Sequence, residues 1–371
     1  MGRQLQAEAL SNPHFVTESG GLAIKEYCLP EHSQALAARF RNLTVEVPFW
    51  TACGDTKWIE ELHSKQQEMV GRDARNLELS PRGDKTFFDI GCNKGFTSAK
   101  FFGLWAPEVG FNPKAIHAKR PEVWCGNCGD CQEEVTSQVA ASDGQVQVFC
   151  IEPSQANFAQ LIVTRDLFFK DNKPTTQWFT MNLAMANSTG IAHFSRECTS
   201  EQCALDVASQ HNYDLIYTST VDAFLRKHEI DYVDVLKIDT EGFDATVIQG
   251  AMESIARGSI GVISFEYHEV GVWREYKLKH VVEWLNGFNY VCYFDGKPNY
   301  SRLTGCWDDL FEFYNWSNVV CVPRAHPLYG VMERGSVRYQ MYASTYHQEA
   351  GGAGAGTSGS GAAGQAQAQL Q

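Results

Sequence analysis

The chain has 371 residues, 44% of them apolar, and carries 44 acidic against 31 basic residues for a formal net charge of -13 at pH 7. That length supports one large domain or two modest ones. An acidic surface without a basic run argues against a nucleic-acid partner. No apolar stretch approaches the roughly 20 residues of a membrane-spanning helix.

Residues 1–80 mix helical patterns with turns and read as a helical extension. From Thr86 short apolar runs alternate with helical periodicity. Strands are expected at Thr86 to Ile90, Val146 to Ile151, Gln177 to Met181, Tyr232 to Ile238 and Ile260 to Phe265, with a small ribbon at Ile191 to Ser195. Helices are expected at Phe96 to Trp105, Asn157 to Phe168 and Asp244 to Arg257. The last puts Val247, Ile248, Ala251 and Ile255 on one face, with Gly258 placed to end it. Tyr290 to Phe294 and Asn318 to Val322 follow as two closing strands without a long helix between them, which reads as an antiparallel hairpin at one edge. This alternation predicts an α/β domain over 81–325, with a mostly parallel sheet covered on both faces. A long insertion at 103–145 interrupts the domain, and a C-terminal extension at 326–348 follows it. The tail at 349–371 is Gly/Ala/Gln-rich and has too little apolar surface to fold.

The segment Asp89-Ile90-Gly91-Cys92-Asn93-Lys94-Gly95 is a buried strand running into a glycine-punctuated turn and then a helix. Such a turn lies at the carboxyl edge of a doubly wound sheet, where ligands bind. Gly91 is expected to let the backbone approach a ligand, Asn93 to tolerate a left-handed conformation, and Gly95 to open the helix without an obstructing side chain. The spacing is D-x-G-x-N-x-G. A dinucleotide site would want a third glycine where Phe96 stands. Asp89 suits a cationic ligand, the methionine part of S-adenosylmethionine (SAM), better than a phosphate.

Glu152 ends the second strand, where an acceptor-only carboxylate can take both hydroxyls of a ribose. It follows the loop by far more than the usual spacing of about 20 residues, and the insertion accounts for the excess.

The run from Phe88 to Gly95, Ile151-Glu152-Pro153-Ser154, Asn182-Leu183-Ala184, Thr220-Val221-Asp222 and Leu236-Lys237-Ile238-Asp239-Thr240-Glu241-Gly242-Phe243-Asp244 resemble, in order and spacing, the FkbM-type SAM-dependent methyltransferase family. The resemblance covers about Thr86 to Val322. It departs from the family at Cys92, where a small alanine is usual, and in the cysteine-bearing insertion. It implies a class I methyltransferase (Rossmann-like) fold, with a seven-stranded sheet whose edge strand is antiparallel. It also implies cofactor contacts at Asp89, Gly91, Asn93 and Gly95, ribose contacts at Glu152, an adenine-side position near Asn182, and methyl transfer to an oxygen of a small-molecule or glycan acceptor.

Lys237, Asp239 and Glu241 alternate at a strand end and should project to one side. A hydroxyl acceptor loses its proton, so a base helps. Asp239 is the first choice for the base or acceptor-positioning carboxylate, and Lys237 for orienting the hydroxyl. Asp239 and Glu241 alone are too few for a divalent cation. Glu266 and His268 end the fifth strand and can complete the acceptor pocket, His268 as a functional base or as a structural residue. A catalytically degenerate binding module and a nicotinamide-dependent oxidoreductase are the rival readings. Intact acidic motifs oppose the first, and Phe96 opposes the second.

Cys125, Cys128 and Cys131 form a C-x2-C-x2-C cluster. They supply three ligands for a structural zinc, with Cys198, Cys203 or His117 as a fourth, or they form disulfides. No segment reads as a signal peptide, which points to the cytoplasm. The twelve cysteines and the N-x-[ST] sequons at Asn42, Asn187, Asn299 and Asn315 point to the secretory lumen instead.

Overall fold

The computed structural model describes residues 30–46, 57–70 and 83–337, with breaks at 127, 134, 136, 138–143, 171–174, 196–212, 297–298 and 306. The expected tail at 349–371 and the candidate ligands Cys198 and Cys203 lie outside the described residues.

The described strands are β1 (Lys85–Ile90), β2 (Val146–Ile151), β3 (Thr176–Met181), β4 (Ala184–Met185), β5 (Gly190–Ser195), β6 (Tyr213–Ser219), β7 (Val233–Ile238), β8 (Ile260–Tyr267), β9 (Tyr290–Phe294), β10 (Ser301–Arg302) and β11 (Ser317–Pro323). Eight of them form one sheet in the order β10-β9-β11-β8-β7-β1-β2-β3, and β4, β6 and β5 form a separate small sheet. From β3 through β8 the neighbours are parallel. β11 runs antiparallel between β8 and β9. The sheet is therefore α/β and mostly parallel, with eight strands rather than seven, because the two-residue β10 extends the β9 edge.

Alternation along the strands builds two cores. Phe88 and Ile90 of β1 join Phe149, Ile151, Leu236, Ile238, Ile263 and Phe265 on one face. Phe87 joins Val148, Cys150, Val235 and Val262 on the other. Helices Val221–Lys227, Asp244–Gln249 and Leu278–Gly287 cover the first face. Helices Lys57–Val70, Phe96–Trp105 and Pro327–Arg334 cover the second. With both faces buried, a strand reads as a continuous apolar run, which is why VQVFCI and VDVLKI stand out.

The N-terminal helices pack on this sheet. Phe40 of Pro30–Glu46 stacks on Phe294 and meets Phe311 and Phe313 edge-on. On the opposite face Gln66 accepts from the Trp105 indole at 2.7 Å and donates to Asp234 at 3.4 Å.

Three expectations change. The helix expected over Asp244 to Arg257 is two helices, Asp244–Gln249 and Met252–Ala256. It breaks at Gly250, where a Cβ would sit 2.1 Å from the Ala186 carbonyl oxygen. The Asp222 carboxylate then caps the second helix by accepting from the Glu253 and Ser254 N–H groups. Gly258 ends it at φ +69°, as expected. The closing strands pair antiparallel without a long helix between them, as expected, but β11 lies between β8 and β9 and the two-residue β10 takes the edge. Finally, β6 and the small sheet it centres were not expected beyond the ribbon at β5.

Candidate functional site

The carboxyl ends of β1, β2, β7 and β8 surround a cavity of about 610 Å³. Ile90 to Lys94, Ile151 to Pro153, Lys237 with Asp239 to Glu241, and Glu266 line it. This is the edge at which open α/β sheets bind ligands.

One wall is the loop after β1. Gly91, Asn93 and Gly95 adopt φ +73°, +48° and +84°, which turns the chain sharply into the helix at Phe96. Asn93 thus takes the left-handed conformation its side chain tolerates. The need for glycine is internal, however. A Cβ on Gly91 would lie 1.7 Å from the Asp239 carbonyl oxygen, and one on Gly95 would lie 2.8 Å from the Trp178 ring. The space that sequence assigned to a ligand belongs to neighbouring protein. The loop is further tied down by the Gly91 N–H donating to the Ile151 carbonyl at 2.8 Å and by a disulfide from Cys92 to Cys150 of β2.

Glu152 is 3% exposed. One oxygen accepts the Asn93 N–H and the other the Ser154 N–H, both at 2.8 Å. Burial pushes its carboxyl up to about 7, against the opposing pull of these two amides. It joins the loop after β1 to the turn after β2 and still lines the cavity. Asn182 does not line it. Its amide donates to the Glu152 and Pro153 carbonyls, and its oxygen takes the Gln155 side chain. Leu183, Ala184 and Met185 face the cavity instead.

The opposite wall is acidic. Lys237 Nζ lies 3.0 Å from Asp239 and 3.4 Å from Asp89. Burial would lower the lysine, but Asp239 and Asp89 prevail and hold it well above its ordinary range. Asp89 is fully buried, takes the Ser98 hydroxyl at 2.7 Å, and reaches the cavity only through Lys237. Lys237 and Asp239 alternate as expected. The alternation does not carry Glu241, since β7 ends at Ile238 and Glu241 turns left-handed at φ +53°. Gly242, at φ +98°, packs against Val270, whose carbonyl oxygen a Cβ would approach to 2.4 Å.

Asp244 clamps this turn to β8. It accepts from Thr240, from the Gly242 N–H and, through its other oxygen, from the Glu266 N–H. Burial first and Asp239 second push it up to about 7. Glu266 lines the cavity, and burial together with Asp239, Glu241 and Asp244 raises it well above the carboxylate range. His268 lies behind it, fully buried, and does not line the cavity.

The cysteine insertion closes one side through Trp124, Gly126, Cys128 and Asp130. Cys125 pairs with Cys131, and Cys128 is disulfide-bonded as well. Of the two readings of this cluster, the structure has the disulfide one: His117 lies close to Cys125 and Cys131, and a sulfur in a disulfide offers no thiolate to a metal. Lys100 anchors the segment at 2.7 Å from Glu133 and 3.5 Å from Asp130. Trp124, 53% exposed, and Trp316, from the loop before β11, both line the cavity. Neither was singled out from sequence, because lone tryptophans in loops carry no spacing signal.

The profile of the Methyltransferase FkbM domain matches residues 89–292. A crystal structure of a methyltransferase FkbM from Methylobacillus flagellatus KT is similar at 12% identity and a TM-score of 0.37, with 78% of this chain aligned. The chain spans 58% of that protein. A search of curated proteins returns no match. The matched region runs from the end of β1 to β9, more than half of the sequence, and the chain belongs to the FkbM methyltransferase family.

Proposed function

We propose that this methyltransferase takes its methyl group from S-adenosylmethionine and transfers it to a hydroxyl oxygen of a small molecule or sugar. The observation that carries the reading is a single cavity with a glycine-loop wall on one side and a carboxylate wall on the other. Its volume of about 610 Å³ lies within the range of small-molecule sites.

The residues fit the cofactor. Each Glu152 oxygen holds one backbone N–H, the Asn157 side chain adds a further hydrogen bond, and the remaining lone pair can take a ribose hydroxyl. Leu183, Met185 and Phe194 offer an apolar seat for a base. The carboxylates favour a cationic ligand over a pyrophosphate, and Phe96 occupies the place of a third glycine. SAM supplies a sulfonium leaving group. The chain must align the acceptor oxygen and exclude water. In this reading Asp239, held by Lys237, accepts from and orients the acceptor hydroxyl. The disulfides favour an oxidising compartment such as the secretory lumen.

The test is calorimetry on the full, disulfide-intact chain with SAM and with NAD. Heat with SAM is expected, weakened about tenfold by Glu152→Gln through loss of one charge-assisted hydrogen bond. Heat with NAD alone would overturn the proposal. Methyl hexosides incubated with methyl-labelled SAM then report the acceptor.

A further inference from the structure

His268 and Glu266 face each other in an unusual way. The Val270 N–H donates to His268 Nδ1 at 3.1 Å. A neutral imidazole that accepts at Nδ1 carries its proton at Nε2. Burial lowers the ring to about 4, so it is neutral at pH 7. Its Nε2–H therefore points as a donor, and it lies 3.9 Å from Glu266 Oε2. Both atoms are buried and neither has a hydrogen-bond partner among the described residues. Trp316 stacks on the imidazole with ring centroids 4.4 Å apart, fixing its plane. The Glu266 side chain is 16% exposed and lines the cavity beside Asp239 and Glu241.

We propose that Glu266 is the proton acceptor in the methyl transfer and that His268 is its positioning residue, donating from Nε2 to the buried oxygen. This rests on the hydroxyl acceptor proposed above. Asp239 is the weaker candidate for a base because its carboxylate is already engaged by Lys237, 3.0 Å away. Glu266 stands buried among Asp239, Glu241 and Asp244, with Lys237 as the opposing charge, and burial first and those carboxylates second raise its proton affinity. A cationic donor in the cavity favours the ionised form, and an ionised Glu266 needs only a small shift to take the Nε2–H bond. The acceptor hydroxyl then gives its proton to Glu266 as its oxygen takes the methyl group. The carbon–sulfur electron pair stays on sulfur, and the proton leaves later to solvent.

Glu241, Glu266 and His268 also lie close enough to share a cation, their ligand atoms falling within 4.8 Å of one another. The Nε2–H form presents a proton to that point rather than a lone pair, which opposes His268 as a ligand.

The experiment is nitrogen-15 NMR of the histidines in the full chain. The His268 Nε2–H tautomer is expected, with a shift that titrates with Glu266, moves to lower pH when SAM is added, and disappears in Glu266→Gln. An Nδ1–H tautomer, or a titration that survives Glu266→Gln, would overturn the pair. So would Mn²⁺ binding that Glu266→Gln abolishes, which would make the cluster a cation site. On a methyl hexoside that the wild type methylates, Glu266→Gln should lower kcat at least about a hundredfold, with SAM affinity falling by no more than the SAM-induced shift of the Glu266 titration accounts for. His268→Leu should move the acid limb of kcat to higher pH, and His268→Gln, which keeps a donor, should restore it; an unmoved limb overturns the positioning role. Failure of the wild type to bind SAM would sink the methyl-transfer reading, and the tautomer and titration would still decide the pair.

Discussion

On the β1–β2 side of the cavity most polar groups are already bonded within the protein, Asn157 Oδ1 being an exception among the described residues. The Gly91 and Cys92 amides meet the Ile151 carbonyl, Glu152 holds two backbone amides, and a disulfide joins Cys92 to Cys150. On the β7–β8 side Glu266 Oε2 and His268 Nε2 have no partner among the described residues, and three carboxylates crowd one lysine. The first side is a frame that holds a shape, and the second keeps unspent hydrogen-bonding capacity and perturbed acids. Unspent capacity is where chemistry is to be expected, because a buried donor or acceptor without a partner is costly unless a ligand satisfies it.

Cutting the frame should cost the most. The Cys92–Cys150 disulfide closes a separation of 58 residues, against 6 for Cys125–Cys131. Loop entropy gives about 4 kcal/mol for the first and about 2 kcal/mol for the second. Denaturant unfolding of Cys92→Ala/Cys150→Ala and of Cys125→Ala/Cys131→Ala should show that order. The reverse order would mean that the insertion, not the loop, holds the site together.

Gly91→Ala comes next. It puts a Cβ against the Asp239 carbonyl, 1.7 Å away, at φ +73°. The alanine must part β1 from the end of β7, at about 3 kcal/mol. A lower thermal midpoint is expected together with lost SAM binding. An unchanged midpoint would return Gly91 to the ligand-approach role.

These two tests also show how far the sequence could be read. The strands β1, β2 and β9 and the helix Phe96–Trp105 were legible because both sheet faces are buried and Gly or Pro bounds the runs. β6, in contrast, buries Ile216 but exposes Leu215 and Tyr217, so its apolar pattern has no clean sidedness. The break at Gly250 comes from the Ala186 carbonyl, a contact distant in sequence. Within the site, Lys237, Asp239 and Glu241 were found because they crowd one strand end. Asn182 was recognisable as part of a motif, but its amide is spent on the turn after β2. The Cys92–Cys150 pairing required the parallel register that sets Asp89 beside Cys150, which no spacing across the insertion reveals.

Asp239→Asn should act on the other side alone. Asp239 is 31% exposed, so the fold should tolerate the change, while methyl transfer drops on the order of tenfold through a misplaced acceptor. Labelled transfer with an unchanged rate would remove Asp239 from the acceptor's contacts.

The smallest effect concerns pH and couples the two sides. Glu152 and Asp244 are each pushed up to about 7, and Glu266 is raised as well. An acid whose pKa is raised in the folded state binds its proton more tightly there than in the unfolded chain. Its stabilising effect is therefore present below about pH 4.5, the unfolded value of a glutamate, and is lost as pH rises through about 7. Stability should accordingly increase on mild acidification from pH 7.5 to 6. SAM affinity should move the opposite way, since ribose hydroxyls donate to the ionised Glu152 and so favour it. Calorimetry across the same interval should show affinity rising severalfold toward pH 7.5, by no more than about tenfold per pH unit for a single group. Glu152→Gln should reduce the affinity slope to the part linked to Glu266, and leave part of the stability slope, carried by Asp244 and Glu266. If the variant kept the full affinity slope, the titrating group would lie on the acidic wall, and Glu152 would be a clamp between two turns rather than a ligand for the cofactor.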